Sequence, residues 1–181
     1  MSRIGKKKIL IPKKINYKYK NNVLYVKGKL GKLKLKIKKI IKIIFKKKYI
    51  YLKINNNKSK LEKSLYGLYR TLIFNMFKGV TIGFKKKLLI IGREYKVIKY
   101  NNCLEFNLGY SHTIMIDIPK CIKIDIISKN NNINLKLFSY NNIILGLYSA
   151  KIKSFRKPDP YKNKGIRYHN EYIIKKIRKK V

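Results

Sequence analysis

Short segments of this chain alternate strictly between apolar and charged residues. Leu33 and Leu35 are separated by lysines, and Tyr49 begins a similar run. A second set follows later, with isoleucines at every second position over 114–118 and 122–126. A period of two places apolar side chains on one face of a β-strand and charged side chains on the other. The pattern predicts strands with a lysine face, which we interpret as solvated in preference to a specific contact site.

Each group of strands is followed by a helical pattern. Ser59 and Glu62 form an S-x-x-E capping box, and apolar residues then recur at helical spacing until Gly79. The predicted apolar stripe is Leu61, Leu65, Leu68, Leu72, Ile73 and Met76, with Lys63, Arg70 and Asn75 on the opposite face. A second helix is predicted from near Ser139 to just before Pro158. Its apolar side would carry Ile144, Leu147, Tyr148, Ile152 and Phe155.

The order of these elements is repeated. Asn21-Asn22-Val23-Leu24 recurs as Asn101-Asn102-Cys103-Leu104, and Gly67-Leu68-Tyr69 recurs as Gly146-Leu147-Tyr148. Both pairs share an offset of about 80 residues, which indicates duplication. The sequence therefore predicts an α+β protein of two duplicated domains, each an antiparallel-type sheet packed with one main helix, plus a basic C-terminal extension. We place the domains at residues 1–82 and 83–181.

The charge of the chain points to a polyanionic partner. There are 47 lysines and arginines against 7 acids, so the formal net charge is +40 on 181 residues. Self-repulsion of this size opposes folding unless a partner neutralises it, and nucleic acid has the matching charge density. Because 45% of the residues are hydrophobic, the charge belongs to a folded protein. The abundance of Lys, Asn, Ile and Tyr also indicates an A/T-rich genome, so part of the lysine count reflects codon bias.

No segment predicts membrane insertion or export. The longest apolar runs are far shorter than the roughly 20 residues that span a bilayer. The start of the chain lacks the apolar stretch of a secretory signal and the amphipathic pattern of a transit peptide. We therefore expect the protein to act where it is made.

The sequence predicts neither a metal, a cofactor nor a catalytic site. Cys103 and Cys121 are too far apart for a C-x-x-C pair, and we expect both to be buried free thiols. His112 and His169 have no second His or Cys at ligand spacing. The acids are dispersed, whereas a nuclease needs clustered carboxylates or a histidine pair. These patterns disfavour an enzyme.

Three segments combine cations with aromatic residues or glycine outside the periodic core: Ser2–Lys8, Asn107–His112 and Arg156–Tyr168. Aromatic rings can stack on bases or riboses, and cations neutralise phosphates. For Tyr110, ordinary turn packing and RNA contact stay open as alternatives. In the tail, contact is favoured because the sequence shows almost nothing apolar to bury there. Residues 175–180 form a charge run in which we single out no residue. The candidate RNA-binding residues are Arg3, Lys6, Lys7, Arg70, Asn75, Tyr110, Ser111, His112, Arg156, Tyr161, Lys162, Lys164, Gly165, Arg167 and Tyr168.

These segments resemble the large-ribosomal-subunit protein six family in its bacterial and organellar form. The motifs appear in the family's order: residues 1–7 followed by Ile11-Pro12, the 67–75 helix, the 107–112 turn, and Pro158-Asp159-Pro160-Tyr161-Lys162-Asn163-Lys164-Gly165-Ile166. The chain departs from the family at Lys8, at Arg93-Glu94 and at Asn163. The resemblance implies a non-catalytic protein of two duplicated domains. It would bind large-subunit ribosomal RNA near the factor-binding region, chiefly through its second domain and tail.

The resemblance also bears on partners and location. It implies large-subunit ribosomal RNA and neighbouring ribosomal proteins as partners, with no membrane and no small-molecule substrate. An A/T-rich genome favours a plastid-type ribosome, in an apicoplast or another A/T-rich plastid, with a mitochondrion or a bacterial cytoplasm as alternatives. The competing function is a free basic architectural protein that binds DNA or RNA. No helix-turn-helix, zinc-finger or basic-zipper pattern supports that alternative.

Overall fold

A computed structural model of the chain describes residues 3–12, 15–46, 48–54, 59–129 and 132–176. Met1 and Ser2 of the predicted amino-terminal segment, and residues 177–180 of the charge run, lie outside the described residues. Internal packing divides the chain into two units, residues 1–83 and 84–181.

The first unit contains two three-stranded antiparallel sheets and one long helix. Its elements are α1 (Arg3–Lys6), β1 (Ile9–Leu10), β2 (Asn16–Lys20), β3 (Val23–Lys27), β4 (Lys32–Lys36), β5 (Ile41–Phe45), β6 (Tyr49–Ile54) and α2 (Lys60–Thr81). One sheet has the strand order β2-β3-β4, and the other has the order β1-β6-β5.

The second unit has the same arrangement with one strand added. Its elements are β7 (Phe84–Ile91), β8 (Lys96–Lys99), β9 (Cys103–Asn107), β10 (Ile114–Asp117), β11 (Ile122–Lys129), β12 (Asn132–Ser139), α3 (Asn142–Phe155) and β13 (Gly165–Tyr168). The strand orders are β10-β9-β8 and β11-β12-β7-β13. The α+β class predicted from the sequence is confirmed.

Matching hydrogen bonds display the duplication. The Ile37 N–H donates to the Asn22 carbonyl at 2.7 Å, and the Ile118 N–H donates to the Asn102 carbonyl at 2.7 Å. The Gly-Leu-Tyr tripeptides of α2 and α3 also agree, because each places an exposed leucine before a buried tyrosine. The repeated letters of the sequence therefore occupy equivalent places in the two units.

In the first unit, α2 and the inner faces of the strands form one core. Leu24 and Val26 of β3 are buried, whereas Tyr25 between them is 48% exposed. On the helix side, Ile73 and Phe77 are almost completely buried. The alternation predicted around Leu33 and Leu35 is found in β4, where both leucines are half-buried between exposed lysines.

The predicted apolar stripe of α2 is partly wrong. Leu61 and Leu68 are exposed, and the helix buries Tyr66 and Tyr69 instead. The Tyr66 hydroxyl donates to the Leu52 carbonyl at 3.1 Å, so the ring can enter the core with its polar group paired. Leucines and tyrosines both recur at helical spacing along α2. The contact with β6 favours burial of the tyrosine side.

Of the two predicted ends of α2, only the start is confirmed. Ser59 caps the helix as expected, accepting from the Glu62 N–H at 3.1 Å. The predicted stop at Gly79 is wrong, because the helix continues to Thr81 and Gly79 is buried within it. The residue that allows the chain to turn is Gly83, with a φ of 78°.

Helix α3 completes the core of the second unit. Its buried residues include Leu145, Tyr148 and Ile152, which pack with the strands. Burial raises the pKa of Tyr148 to about 12. The predicted start near Ser139 and the burial of Leu147 are both wrong.

Ser139 ends β12, and the cap is Asn141, whose side chain accepts from the N–H groups of Ile143 and Ile144. Leu147 is 69% exposed. As in α2, the core takes the tyrosine of the tripeptide and leaves the preceding leucine outside.

Candidate nucleic-acid interface

The loop that precedes β13 is organised by Asp159. Its carboxylate accepts from the Tyr161 N–H at 2.9 Å and from the Lys162 N–H at 3.2 Å. Its backbone N–H donates to the Lys164 carbonyl at 2.8 Å, and its carbonyl accepts from the Asn163 N–H at 3.0 Å. The two flanking prolines restrict the backbone at both sides of this residue. The result is a tight turn with Tyr161, Lys162 and Lys164 exposed.

Two residues with positive φ close this loop. Asn163 has a φ of 56°, a region that asparagine tolerates. Gly165 has a φ of 126°, and a Cβ there would lie 2.6 Å from the Lys157 carbonyl oxygen. The Ile166 N–H then donates to the Arg156 carbonyl at 2.9 Å. Gly165 is therefore needed for the close approach of the two sides of the loop.

Tyr110, His112 and Arg156 lie together. The Arg156 Cζ is 4.6 Å from the centroid of the Tyr110 ring. The Tyr110 and His112 rings are stacked, with centroids 5.9 Å apart and planes 19° apart. The Tyr110 hydroxyl donates to the Phe155 carbonyl at 3.1 Å. The structure thus joins the 107–112 turn to the start of the tail, with Ser111 and His112 exposed.

Both alternatives for Tyr110 find support in this arrangement. Its hydroxyl is held by the end of α3, which is ordinary turn packing. Tyr110 is nevertheless 42% exposed, and its ring is flanked by a cation and a second ring. A base or a ribose placed on this surface would meet aromatic and cationic groups at once.

The tail is not the unpacked extension that the sequence suggested. Arg167 and Tyr168 belong to β13, where they pair with Leu89 and Leu88 of β7. Ile166 is completely buried between the loop and α3 in the core of this unit. The expectation that this segment has little to pack on is therefore wrong for Gly165–Tyr168.

Tyr168 is half-buried among cations. Its ring centroid is 5.1 Å from the Lys86 Nζ and 5.0 Å from the Lys153 Nζ. Glu171 accepts from the Lys153 ammonium and, at 3.0 Å, from the Tyr168 N–H. The hydrogen bond from Lys153 holds the pKa of the Glu171 carboxyl below its ordinary value. Among the described residues, the Arg167 Nε is buried without a hydrogen-bond partner.

The amino-terminal candidates gather beside α2. Arg3 and Lys6 are exposed on α1, and Lys7 follows it. The Lys7 carbonyl accepts from the Arg70 Nε at 3.5 Å, and the Arg70 Cζ is 5.0 Å from the Phe74 ring centroid. Arg70 therefore holds the end of α1 against α2.

A glycine allows the short helix α1 to pack closely against α2. A Cβ at Gly5 would lie 2.2 Å from the Tyr66 ring, so only glycine fits there. Asn75, the other α2 candidate, is half-buried further along the helix. The three amino-terminal cations are thus presented on a fixed backbone.

One cationic cluster was missed in the sequence. The Lys8 Nζ is 5.7 Å from the Tyr49 ring centroid and 5.9 Å from that of Tyr51, and the Lys46 Nζ is 5.5 Å from Tyr51. Tyrosines two residues apart on a strand share one face, and this spacing was the available signal. Nothing local in the sequence shows that Lys8 reaches them.

Other chemistry is sparse in the part of the chain that the structure describes. Cys103 and Cys121 are free but only partly buried, so the prediction of buried thiols is wrong. The described residues contain no group of His, Cys, Asp or Glu side chains arranged to hold a metal ion. Among the described helices, none is long and apolar enough to cross a bilayer.

The family model and the similar proteins all indicate the same family. The family model for ribosomal protein L6 matches residues 11–83 and 91–169. The chain is 48% identical to the large ribosomal subunit protein uL6 of Karelsulcia muelleri, over 99% of this chain and 98% of the relative. It is 40% identical to uL6 of Christiangramia forsetii, over 99% of both chains. It is also 41% identical to uL6c of Phaeodactylum tricornutum, over 99% of this chain and 98% of the relative.

Proposed function

The chain belongs to the ribosomal protein L6 family, and on that premise we propose that it is a structural constituent of the large ribosomal subunit. In this role it binds large-subunit ribosomal RNA and contributes no catalysis. The observation that carries the proposal is the cluster of Tyr110, His112 and Arg156, whose Arg156 carbonyl accepts the hydrogen bond that closes the loop containing the Asp159 turn. This surface combines rings for stacking with cations for phosphates, the two kinds of group that folded RNA requires.

The second unit supplies the main contact in this proposal. Lys162 and Lys164 point from a turn that is rigid because Asp159 and Gly165 fix it. A rigid turn loses little conformational entropy on binding, so each phosphate contact contributes more to affinity. Tyr161, 49% exposed at the same turn, provides a stacking surface. Arg167 and Tyr168 contribute from the adjoining edge strand.

The first unit adds a smaller contact through Arg3, Lys6 and Lys7. Arg70 acts there as a positioning residue, because its guanidinium is directed to the Lys7 carbonyl and the Phe74 ring. Asn75 completes this set. We place the bound RNA near the factor-binding region of the large subunit, with neighbouring ribosomal proteins as further partners.

We propose a plastid-type ribosome as the location, with a mitochondrial or a bacterial ribosome as alternatives. The relatives described above include bacterial uL6 proteins and a uL6c protein, and the abundance of residues with A/T-rich codons favours a small, A/T-rich genome. We also propose that residues 1–82 and 83–181 are separate domains, which limited proteolysis between the two units would test. A free architectural protein is the competing function. It predicts association with DNA instead of with large subunits.

Co-sedimentation with large subunits at increasing salt tests the proposal. A variant with Lys162→Ala and Lys164→Ala should leave the subunits at lower salt than the wild type. The matched control carries Lys96→Ala and Lys120→Ala. Both lysines are exposed in the same unit, so the control variant loses the same charge. Tyr161→Ala should weaken binding without changing charge. Equal behaviour of all variants, or sedimentation of the wild type with DNA alone, would contradict the proposal.

A further inference from the structure

The sheet of β2, β3 and β4 has an outer face rich in lysine, with Asn16, Val23 and Tyr25 as its other members. Its inner side carries Tyr17, Leu24 and Val26, which pack in or against the core. The side chains that alternate with them point away from the core and surround Tyr25. We call this set the cationic sheet face, and it consists of Lys18, Lys20, Tyr25, Lys27, Lys32, Lys34 and Lys36. All of them are exposed.

The lysines of this face have no compensating acid, and two of them are directly opposite each other. Lys27 pairs directly with Lys32 across β3 and β4, and Tyr25 has Lys18 on one side and Lys34 on the other. Within the described residues, no carboxylate lies at ion-pair distance from any of them. Glu62 is the one acid in the sequence of residues 1–83. Like charges directly opposite each other destabilise a sheet, so the free protein bears this face at a cost.

Codon bias does not account for the face, because the second unit provides an internal control. The registers of β8, β9 and β10 match those of β2, β3 and β4 residue by residue. The positions equivalent to Lys18, Lys20, Tyr25, Lys27, Lys34 and Lys36 are Ile98, Tyr100, Glu105, Asn107, Met115 and Asp117. The position equivalent to Asn16 is Lys96, so the same genome and the same backbone produced one lysine on this face in the second unit and six in the first.

The shape of the face suits an extended polyanion. The sheet borders an open concavity of about 720 Å³, lined by Lys18, Tyr25, Lys27 and Lys34 among others. Residues two apart on a strand are separated by ~6.8 Å, so the lysines form regular rows. The Tyr25 ring stands between these rows and is 48% exposed. Rows of cations around one accessible ring fit a phosphate backbone with an unpaired base or ribose on the tyrosine.

We propose that the cationic sheet face is a second RNA-binding surface, separate from the loop and turn of the second unit. Its ligand is an RNA strand whose phosphates lie along the lysine rows and whose base or ribose stacks on Tyr25. The inference rests on the proposed function for the identity of the polyanion. It assigns a role to lysines that the alternation pattern alone left as a solvated surface.

The test measures binding of the full chain to a transcript of large-subunit ribosomal RNA over a range of salt. The face variant carries Lys18→Gln, Lys27→Gln and Lys34→Gln. Its control carries Lys29→Gln, Lys38→Gln and Lys39→Gln, which are exposed in the same unit but outside the face. Loss of three phosphate contacts should reduce the slope of log affinity against log salt by about 2. The control should keep the wild-type slope, and Tyr25→Ala should weaken binding about fivefold or more.

Thermal unfolding provides the folding check. The face variant should melt no lower than the wild type, since it removes like-charge repulsion. Equal losses in the face variant and its control would show a general charge effect and overturn the inference. Wild-type binding by the face variant would overturn it as well.

The tail variant separates this inference from the proposed function. If Lys162→Ala with Lys164→Ala weakens binding while the face variant matches its control, the proposed function stands and the second surface does not. If the wild type fails to bind the transcript, both are overturned. Chemical acetylation of lysines in assembled large subunits, read by mass spectrometry, tests whether a molecule other than RNA covers the cationic sheet face. Protected face lysines with unchanged RNA affinity would assign the face to an acidic protein and overturn the RNA proposal.

Discussion

The two three-stranded sheets share one backbone and differ in the chemistry of their outer faces. Tyr25 of the first unit stands among lysines, whereas the equivalent Glu105 accepts a hydrogen bond from the Tyr100 hydroxyl at 2.8 Å. That hydrogen bond raises the pKa of Tyr100. Met115 and Ile98 on the same face are largely exposed apolar residues. Duplication has therefore kept the register of the sheet while the outer positions, which the core does not constrain, have diverged.

The packed inner positions of the two units, in contrast, remain alike. Tyr69 and Tyr148 are buried to a similar degree, and the carbonyls of Asn22 and Asn102 accept equivalent hydrogen bonds. Substitution of a packed residue leaves a cavity or an unpaired polar group, so the inner positions tolerate little change. The binding surface that we propose for the second unit lies elsewhere, on the 107–112 turn, the Asp159 loop and the additional strand β13.

The largest expected effect tests which face of α2 is buried. Ile73→Asp should unfold the first unit, because it places a charge at a completely buried position, at a cost of several kcal/mol. Leu68→Asp should change the free energy of unfolding by less than about 0.5 kcal/mol, since Leu68 is 51% exposed. Urea denaturation followed by circular dichroism measures both. Greater destabilisation by Leu68→Asp would restore the leucine stripe that the sequence suggested.

The next effect concerns the loop that only the second unit possesses. Gly165→Ala should destabilise that unit by about 1–3 kcal/mol from backbone strain, with a further cost from the contact to the Lys157 carbonyl. Gly146→Ala is the control. No atom lies within 4 Å of a Cβ at Gly146, and alanine favours the helix by up to about 1 kcal/mol. Opposite signs in thermal unfolding are expected, and equal signs would contradict the loop geometry.

A smaller effect depends on pH. The pKa of Glu171 is lowered in the folded protein, so its stabilisation is present at neutral pH and is lost as the pH falls below the ordinary value of 4.5. Glu171→Gln should cost about 0.5–1 kcal/mol at pH 7. The difference from the wild type should shrink on acidification. Denaturant unfolding at several pH values measures it, and a difference independent of pH would remove the ion pair with Lys153 from the account.

The smallest effect tests the repulsion on the cationic sheet face. Lys27→Asn introduces the residue found at the equivalent Asn107 and removes the charge opposite Lys32. Stability at low salt should rise by about 0.2–0.5 kcal/mol. The gain should disappear at high salt because screening weakens the repulsion. A gain that is the same at both salt concentrations would have another cause.

The sequence predicted those parts of the fold that depend on neighbouring residues. Strict alternation identified β4, and Ser59 identified the start of α2, because both signals lie within a few residues of the feature. The buried face of α2 was missed because Tyr66 depends on a carbonyl in β6. Strand β13 was missed because four residues without alternation become a strand only by pairing with β7.

The candidate site was predictable as a list of segments but not as an arrangement. Cations and rings in Asn107–His112 and Arg156–Tyr168 stand out in the sequence. Their junction does not, because Tyr110 meets Arg156 only after the sheet and α3 have folded. The cationic sheet face was visible as alternation, yet its significance depends on the comparison with β8, β9 and β10. That comparison requires the pairing register of both sheets.

Ultraviolet crosslinking in cells tests the central claim most directly, when the attached nucleic acid is sequenced and the crosslinked peptides are identified. The account predicts reads concentrated in large-subunit ribosomal RNA, with crosslinked peptides from residues 107–112 and 156–168. Peptides containing Tyr25 are expected in addition if the second surface exists. Reads spread over DNA or messenger RNA would contradict the account, because the family fold would then serve a different partner.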